Sequence, residues 1–175
     1  MTLAHRAGLD NHLDMDVRRM TPDDWQTWRD ARLASLADAP YAFGSTLALE
    51  EQFDEADWRL RLNPENGMAV VAFLGADAVG TIGAYVPRDS DDPVLVAAWV
   101  RADARGRGVG DALVAEVLAW ARRRGYEQVY LRVADGNEAA RKLFLRNGFT
   151  PTGIRMPLES DPSVNTEFLI HRLPG

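Results

Sequence analysis

The sequence predicts a mixed α/β sheet in a single domain, and three observations carry that prediction. Apolar runs of strand length alternate with stretches of helical period, so strands and helices interleave along the chain. One strand-like run, PVLVAAWV, feeds straight into a glycine-rich loop and then a helix, which is a crossover. At 175 residues the chain is long enough to bury one continuous core and short for two, and it shows neither repeats nor low-complexity linkers.

Each element has its own signal. MDVRRM alternates apolar and polar residues as a short strand does. TPDD then offers Thr21 as N-cap, Pro22 at the first helical position and two acids in the first turn, so a helix should follow to about Ala37. DAPYAFGSTLALE contains Pro40 and Gly44 and reads as a loop, with a second helix from about Leu47 to Leu62. MAVVAFLG and AVGTIGAYVP form a hairpin around Ala76 and Asp77, and PVLVAAWV is a buried strand. In the next helix Leu113, Val114, Val117, Leu118 and Ala121 make one apolar face, closed by Gly125. EQVYLRV is a strand, NEAARKLFLRN a helix closed by Gly148, and FTPTGIRM and NTEFLIHRL are two last strands. Residues 1–14, MTLAHRAGLDNHLD, lack an apolar signal core and read as a flexible extension, leaving residues 15–175 as the domain.

Composition removes several chemistries. The chain has no cysteine, hence no disulfide, thiolate metal site or cysteine acyl-enzyme. His5, His12 and His171 show no ligand spacing, so no metal is expected. A net charge of −6 argues against a nucleic-acid binder, and Arg122, Arg123 and Arg124 suit a helix C-terminus, where cations complement the dipole. No apolar run approaches the roughly 18 residues of a membrane span, and the expected location is the cytoplasm.

RADARGRGVGDALVAEVL, from Arg101 to Leu118, carries the chemistry. Gly106, Gly108 and Gly110 alternate with Arg107 and Val109, so the backbone can turn through positive φ and approach a partner closely. The helix that follows opens with unpaired N–H groups of partial positive charge. Together these make an anion cradle. No lysine follows Gly110, which excludes a P-loop, and the dinucleotide G-x-G-x-x-G spacing is also broken.

Arg105-Gly106-Arg107-Gly108-Val109-Gly110 resembles the R/Q-x-x-G-x-G/A signature of the GNAT superfamily of acyl-CoA-dependent N-acetyltransferases. NEAARKLFLRNGF, Asn137 to Phe149, resembles that family's N-x-x-A-x-x-L-Y-x-x-x-G-F stretch. The resemblance spans about Pro93 to Thr150. It implies a mostly antiparallel sheet of six to seven strands with one splayed parallel pair, flanked by about four helices. It also implies acetyl-CoA as cofactor. The pyrophosphate would lie on the amides of Arg107, Gly108, Val109, Gly110 and Asp111, with Arg101, Arg105 or Arg107 adding charge. The pantetheine arm would pair with strand edges near Trp99 and Val100. Asn137 stands where the family holds the cofactor by a side-chain amide, and it also suits a helix N-cap; both roles can coexist.

The implied reaction is direct attack of an acceptor amine on the thioester, the amine first shedding a proton. Here the chain departs from the pattern. Phe144 replaces a tyrosine acid, and Val94 stands where some members carry a glutamate base. A thiolate leaves readily without an acid, since thiols have pKa near about 8.5. Otherwise Tyr85 or Tyr130 substitutes, with Tyr130 better read as a half-buried core aromatic. A carboxylate among Glu50, Glu51 and Glu55, with Glu51 and Tyr85 taken as the catalytic pair, would complete the chemistry. Acceptor choice would rest on Trp25, Trp28, PYAFGST, Trp58 and IRMPLES. The expected partners are a small-molecule amine and a second copy of the chain, with no nucleic acid and no membrane. The competing readings are a protein N-terminal or lysine acetyltransferase and an acyl-CoA sensor without turnover.

Overall fold

A computed structural model describes residues 14–174. The extension expected at residues 1–14 therefore falls, but for Asp14, outside the described residues, and so do His5 and His12. Seven strands form one sheet in the order β1-β2-β3-β4-β5-β7-β6. They are β1 (Met15–Arg19), β2 (Gly67–Leu74), β3 (Asp77–Tyr85), β4 (Val94–Val100), β5 (Gln128–Ala134), β6 (Thr150–Leu158) and β7 (Asp161–Arg172). The helices are α1 (Trp25–Asp38), α2 (Leu47–Glu50), α3 (Glu55–Arg61), α4 (Val109–Arg123) and α5 (Glu138–Arg146). Every strand pair is antiparallel except β4 and β5. The mixed sheet with one parallel pair is thus as expected.

The sheet is covered on both faces. Along β2, Met68, Val70, Ala72 and Leu74 belong to the core under α4 and α5, whereas Ala69, Val71 and Phe73 pack with Trp28 of α1 and Trp58 of α3. Burial on both sides explains why MAVVAFL is continuously apolar rather than alternating. The predicted face of α4 is buried throughout, Val114 and Val117 completely. At about 1.5–3 kcal/mol per buried aliphatic side chain, that face alone holds α4 in place.

Two elements differ from expectation. The helix expected over 47–62 is two, because the amide of Asp57 donates to Asp54 at 2.9 Å and that of Asp54 donates to Asp57 at 3.0 Å. This reciprocal cap starts α3 afresh, and five helices result instead of about four. The hairpin turn lies one residue earlier, at Gly75 and Ala76, since Asp77 already pairs with Leu74. Positive φ at Gly75, 61°, makes that turn. Among the described residues no helix is long and apolar enough to cross a membrane.

Candidate active site

The chain leaves β4 through a single 3-10 turn, Ala102–Ala104, and enters α4 at Gly108. Gly108 caps the helix with φ 82°, and Gly106 has φ 75°. A Cβ on either would meet nothing within 4 Å, so these glycines serve backbone shape and leave open space above the loop. Gly110 has a different duty. It lies inside the helix, and a Cβ there would come within 2.9 Å of Leu143 Cδ2; its bareness seats α5 against α4.

The first-turn acid Asp111 does not spoil the cradle. Arg146 donates to it from Nε at 2.9 Å and from Nη2 at 3.1 Å, and Asn147 Nδ2 donates at 2.8 Å. The Arg146 and Asn147 hydrogen bonds hold its carboxyl below the usual range. Of the three candidate arginines, Arg105 lines the cavity beside the loop, with its Nε donating to the Val100 carbonyl at 3.2 Å. Arg101 is tied to Asp103 at 2.6 Å, and Arg107 is exposed beside the cavity without lining it.

β4 and β5 touch at one register only, Val94 with Tyr130, supported by the Tyr130 amide donating to Pro93 O at 3.2 Å. Beyond it, the two strands pair with β3 and β7 but not with each other. The splay opens a cavity of about 490 Å³ bordered by Val100, Gly108, Val109, Asn137 and Phe144. A second cavity of about 670 Å³ lies along the N-terminal half of β4, bordered by Leu95, Val96 and Tyr85. Ala42 and Phe43 line both, so the two meet end to end.

Between them β4 is kinked. Its register against β3 passes from Trp99–Thr81 to Val96–Gly83, with Ala97 at φ 57° in the bulge. Thr81 Oγ1 donates to the Ala97 carbonyl at 2.7 Å and fixes this strained turn, which re-aims backbone groups beside the splay. An open loop, a helix N-terminus and an unpaired strand edge fit an acyl-CoA, whose phosphates seek N–H groups and whose arm carries amides.

The second cavity is walled by charge. Arg32 on α1, Arg61 at the end of α3, Arg132 of β5 and Glu159 of the β6–β7 turn all line it, and the last two pair at 2.5 Å. Burial pushes the Glu159 carboxyl up, but the Arg132 hydrogen bond and charge, with a backbone hydrogen bond, outweigh it and leave it below the usual range. Ser160 Oγ donates to Phe43 O at 2.6 Å, so this turn is fastened over the α1–α2 loop. Gly44 lies against this turn, where a Cβ would sit 2.7 Å from Glu159 Oε2 and push that carboxyl aside.

The acetyltransferase (GNAT) family model matches residues 25–149, more than half of the chain. The chain belongs to the GNAT acetyltransferase family. Acetyl-CoA is the co-substrate of that family. "Probable N-acetyltransferase camello" of Xenopus tropicalis is 34% identical over 93 residues, 53% of this chain and 42% of that protein. N-acetyltransferase 8B of Rattus norvegicus is 36% identical over 91 residues, 50% of this chain and 41% of that protein. The matched stretch thus spans less than half the length of these relatives. Among solved structures, yncA from Salmonella typhimurium with its cofactor acetyl-CoA superposes with a TM-score of 0.74 at 17% identity, covering 93% of this chain and 95% of that one. The PaiA N-acetyltransferase of Thermoplasma acidophilum, in complex with coenzyme A, gives 0.68 at 15%, covering 91% and 99%.

Against this GNAT frame, the residues picked out from sequence divide into two groups. Val100, Arg105, Gly106, Gly108, Val109, Gly110, Asp111 and Asn137 gather around the first cavity. Trp99 borders it too, but its indole is buried and donates from Nε1 to Asp38 Oδ2 at 2.9 Å. Asn137 caps α5, its Oδ1 accepting from the Ala140 amide at 3.4 Å. Tyr85 borders the second cavity, half exposed, and Tyr130 stacks on Phe168 at 6.2 Å. Burial raises the Tyr130 pKa despite the Ser90 hydrogen bond, and Tyr130 lines neither cavity. Glu51 requires correction: it is exposed at the end of α2 and borders neither cavity. Its neighbour Glu50 is the buried one, because the helix register turns that position inward. Glu159 falls in the IRMPLES stretch expected to set acceptor choice, whereas Arg32 and Arg61 were missed; no short motif marks them.

Proposed function

We propose that the protein transfers the acetyl group of acetyl-CoA to the primary amine of a small-molecule acceptor, within a ternary complex. The observation that carries this is the pair of cavities meeting end to end along β4 at the splay. A cofactor seated in one presents its end to an acceptor seated in the other. When bound, the cofactor supplies an activated acetyl thioester. The amides from Arg107 to Asp111, with Arg105, hold its phosphates, and the β4 edge from Trp99 to Val100 takes its arm.

The chain's own groups then manage the acceptor. Glu159, kept ionised by Arg132, draws the ammonium into the second cavity and replaces Glu51 in that role. Tyr85 borders the same cavity as the phenol available for hydrogen bonding to the amine. Phe144, buried edge-on against Phe149 at 5.7 Å, donates no proton, so the ammonium sheds its proton to water before attack and the sulfur leaves as a thiolate or takes a proton back from water. Ala42 and Phe43 close the junction and limit water there.

Calorimetry with acetyl-CoA, coenzyme A, ATP and NAD is the deciding experiment, followed by an amine screen read by thiol release. Micromolar binding of the two CoA species alone, and thiol release only when an amine is added, are expected. Binding without release under any amine would favour a sensor. Release with peptides alone would favour a protein acetyltransferase.

A further inference from the structure

Two guanidinium groups in the wall of the second cavity share a single carboxylate. Glu50 has no exposed surface. It accepts from Arg32 Nε at 3.1 Å and Nη2 at 3.0 Å, and from Arg61 Nη1 at 3.2 Å. One arginine would neutralise it; the second leaves the cluster with an extra positive charge. Arg32 is 9% exposed, and its Nη1 is buried with no hydrogen-bond partner. Arg61 borders the cavity and commits only Nη1 to the protein among the described residues. A buried donor left unpaired costs free energy unless something accepts from it.

The two cations are also held in place. Arg32 Cζ lies 4.7 Å from the Phe43 ring centroid, and Arg61 Cζ lies 4.2 Å from that of Phe53. Each cation is held over an aromatic ring, and Arg61 keeps Nε and Nη2 without a protein acceptor among the described residues. Burial lowers the Arg61 pKa, Glu50 works against that, and the charge of Arg32 lowers it further; an incoming anion relieves both strains. Glu159 lines the same cavity, its carboxyl held below the usual range.

Resting on the acetyltransferase reading of this site, we propose that the acceptor is an amino-acid-like molecule, an amine that also carries a carboxylate. Arg61 takes the carboxylate as a charge-assisted donor, with the charge of Arg32 behind it, and Glu159 takes the ammonium. The opposite charges lining the cavity then select the acceptor, so an amine without the acid leaves Arg61 unanswered.

The test offers α-amino acids, each beside its own primary amide, to the full chain with acetyl-CoA and reads thiol release. The acid form should exceed the amide in kcat/KM by about tenfold or more, the scale of a hydrogen bond to a charged group. Calorimetric titration of the best amino acid into protein saturated with coenzyme A should show the same preference without turnover. In Arg61→Gln, which leaves Glu50 its two bonds from Arg32, the acid-to-amide ratio should fall towards one. Equal use of acid and amide by the unaltered protein overturns the proposal, as does an unchanged ratio in Arg61→Gln. The comparison on unaltered protein stands even where the variant fails to fold. Acetyl-CoA binding measured alone separates the cases: if it persists while the acid preference fails, the acetyltransferase reading survives, and if it is absent both fall.

Discussion

The two halves of the site are built from different materials. The first cavity is marked by its backbone features, a loop with two positive-φ glycines, a helix N-terminus and a strand edge without a partner, lined together with side chains such as Arg105, Lys142 and Phe144. The second is walled by side chains, with Arg32, Arg61, Arg132 and Glu159 brought in from four elements. Backbone amides serve a group that never changes, such as a pyrophosphate. Side chains are replaceable without disturbing the ladder that carries them, and they suit the part of the reaction in which family members differ.

The sharpest way to break this contrast is to remove the buried carboxylate. Glu50→Gln leaves Arg32 and Arg61 facing each other with no anion between them. Breaking one side of a buried pair should cost about 3 kcal/mol of stability, measured by urea unfolding. A loss below about 1 kcal/mol would mean that the acceptor wall does not depend on this charge cluster.

On the cofactor side the corresponding change is at Gly108. Gly108→Asp places a negative side chain above the loop and should weaken acetyl-CoA about a hundredfold, near the sum of one lost charge-assisted contact and added repulsion. Gly108→Asn is the partner measurement, since asparagine tolerates positive φ and has the same size. It should lose less affinity than the aspartate. Equal losses would assign the effect to bulk or strain, and no loss in either would remove the phosphates from this loop.

The same contrast explains what the sequence made legible. The cradle is contiguous, and glycine spacing before an amphipathic helix states its geometry within a dozen residues. Even there Gly110 carries a second duty that sequence does not show, because a bare position beside a ligand and one against Leu143 look alike. The acceptor wall joins residues 18 apart, as in Arg32 with Glu50, and 27 apart, as in Arg132 with Glu159. Nothing local distinguishes buried Glu50 from exposed Glu51; only the register of a four-residue helix does. Ala97 was hidden as well, since alanine gives no hint of φ 57°. The split between α2 and α3 was written in the sequence, as the Asp54–Asp57 capping box.

A group remote from both cavities separates the stability of the fold from that of the site. His171 packs edge-on against Phe149 at 5.3 Å, borders neither cavity, and has a buried Nδ1 with no partner. Burial above all, with the charge of Arg122, lowers its pKa from 6.5. The folded state therefore prefers neutral imidazole, while the unfolded chain takes up a proton near about pH 6.5. Stability is complete above that value and declines as pH falls through it towards the lower folded pKa. The decline should be smaller than the loss in Glu50→Gln, because the ring is only partly buried. His171→Phe should flatten the pH dependence of unfolding between about pH 7 and about pH 5.5. Acetyl-CoA affinity should keep the same pH profile in both proteins. A profile altered by His171→Phe would mean that this end of the sheet is coupled to the cradle through Phe149 and Phe144, which pack edge-on.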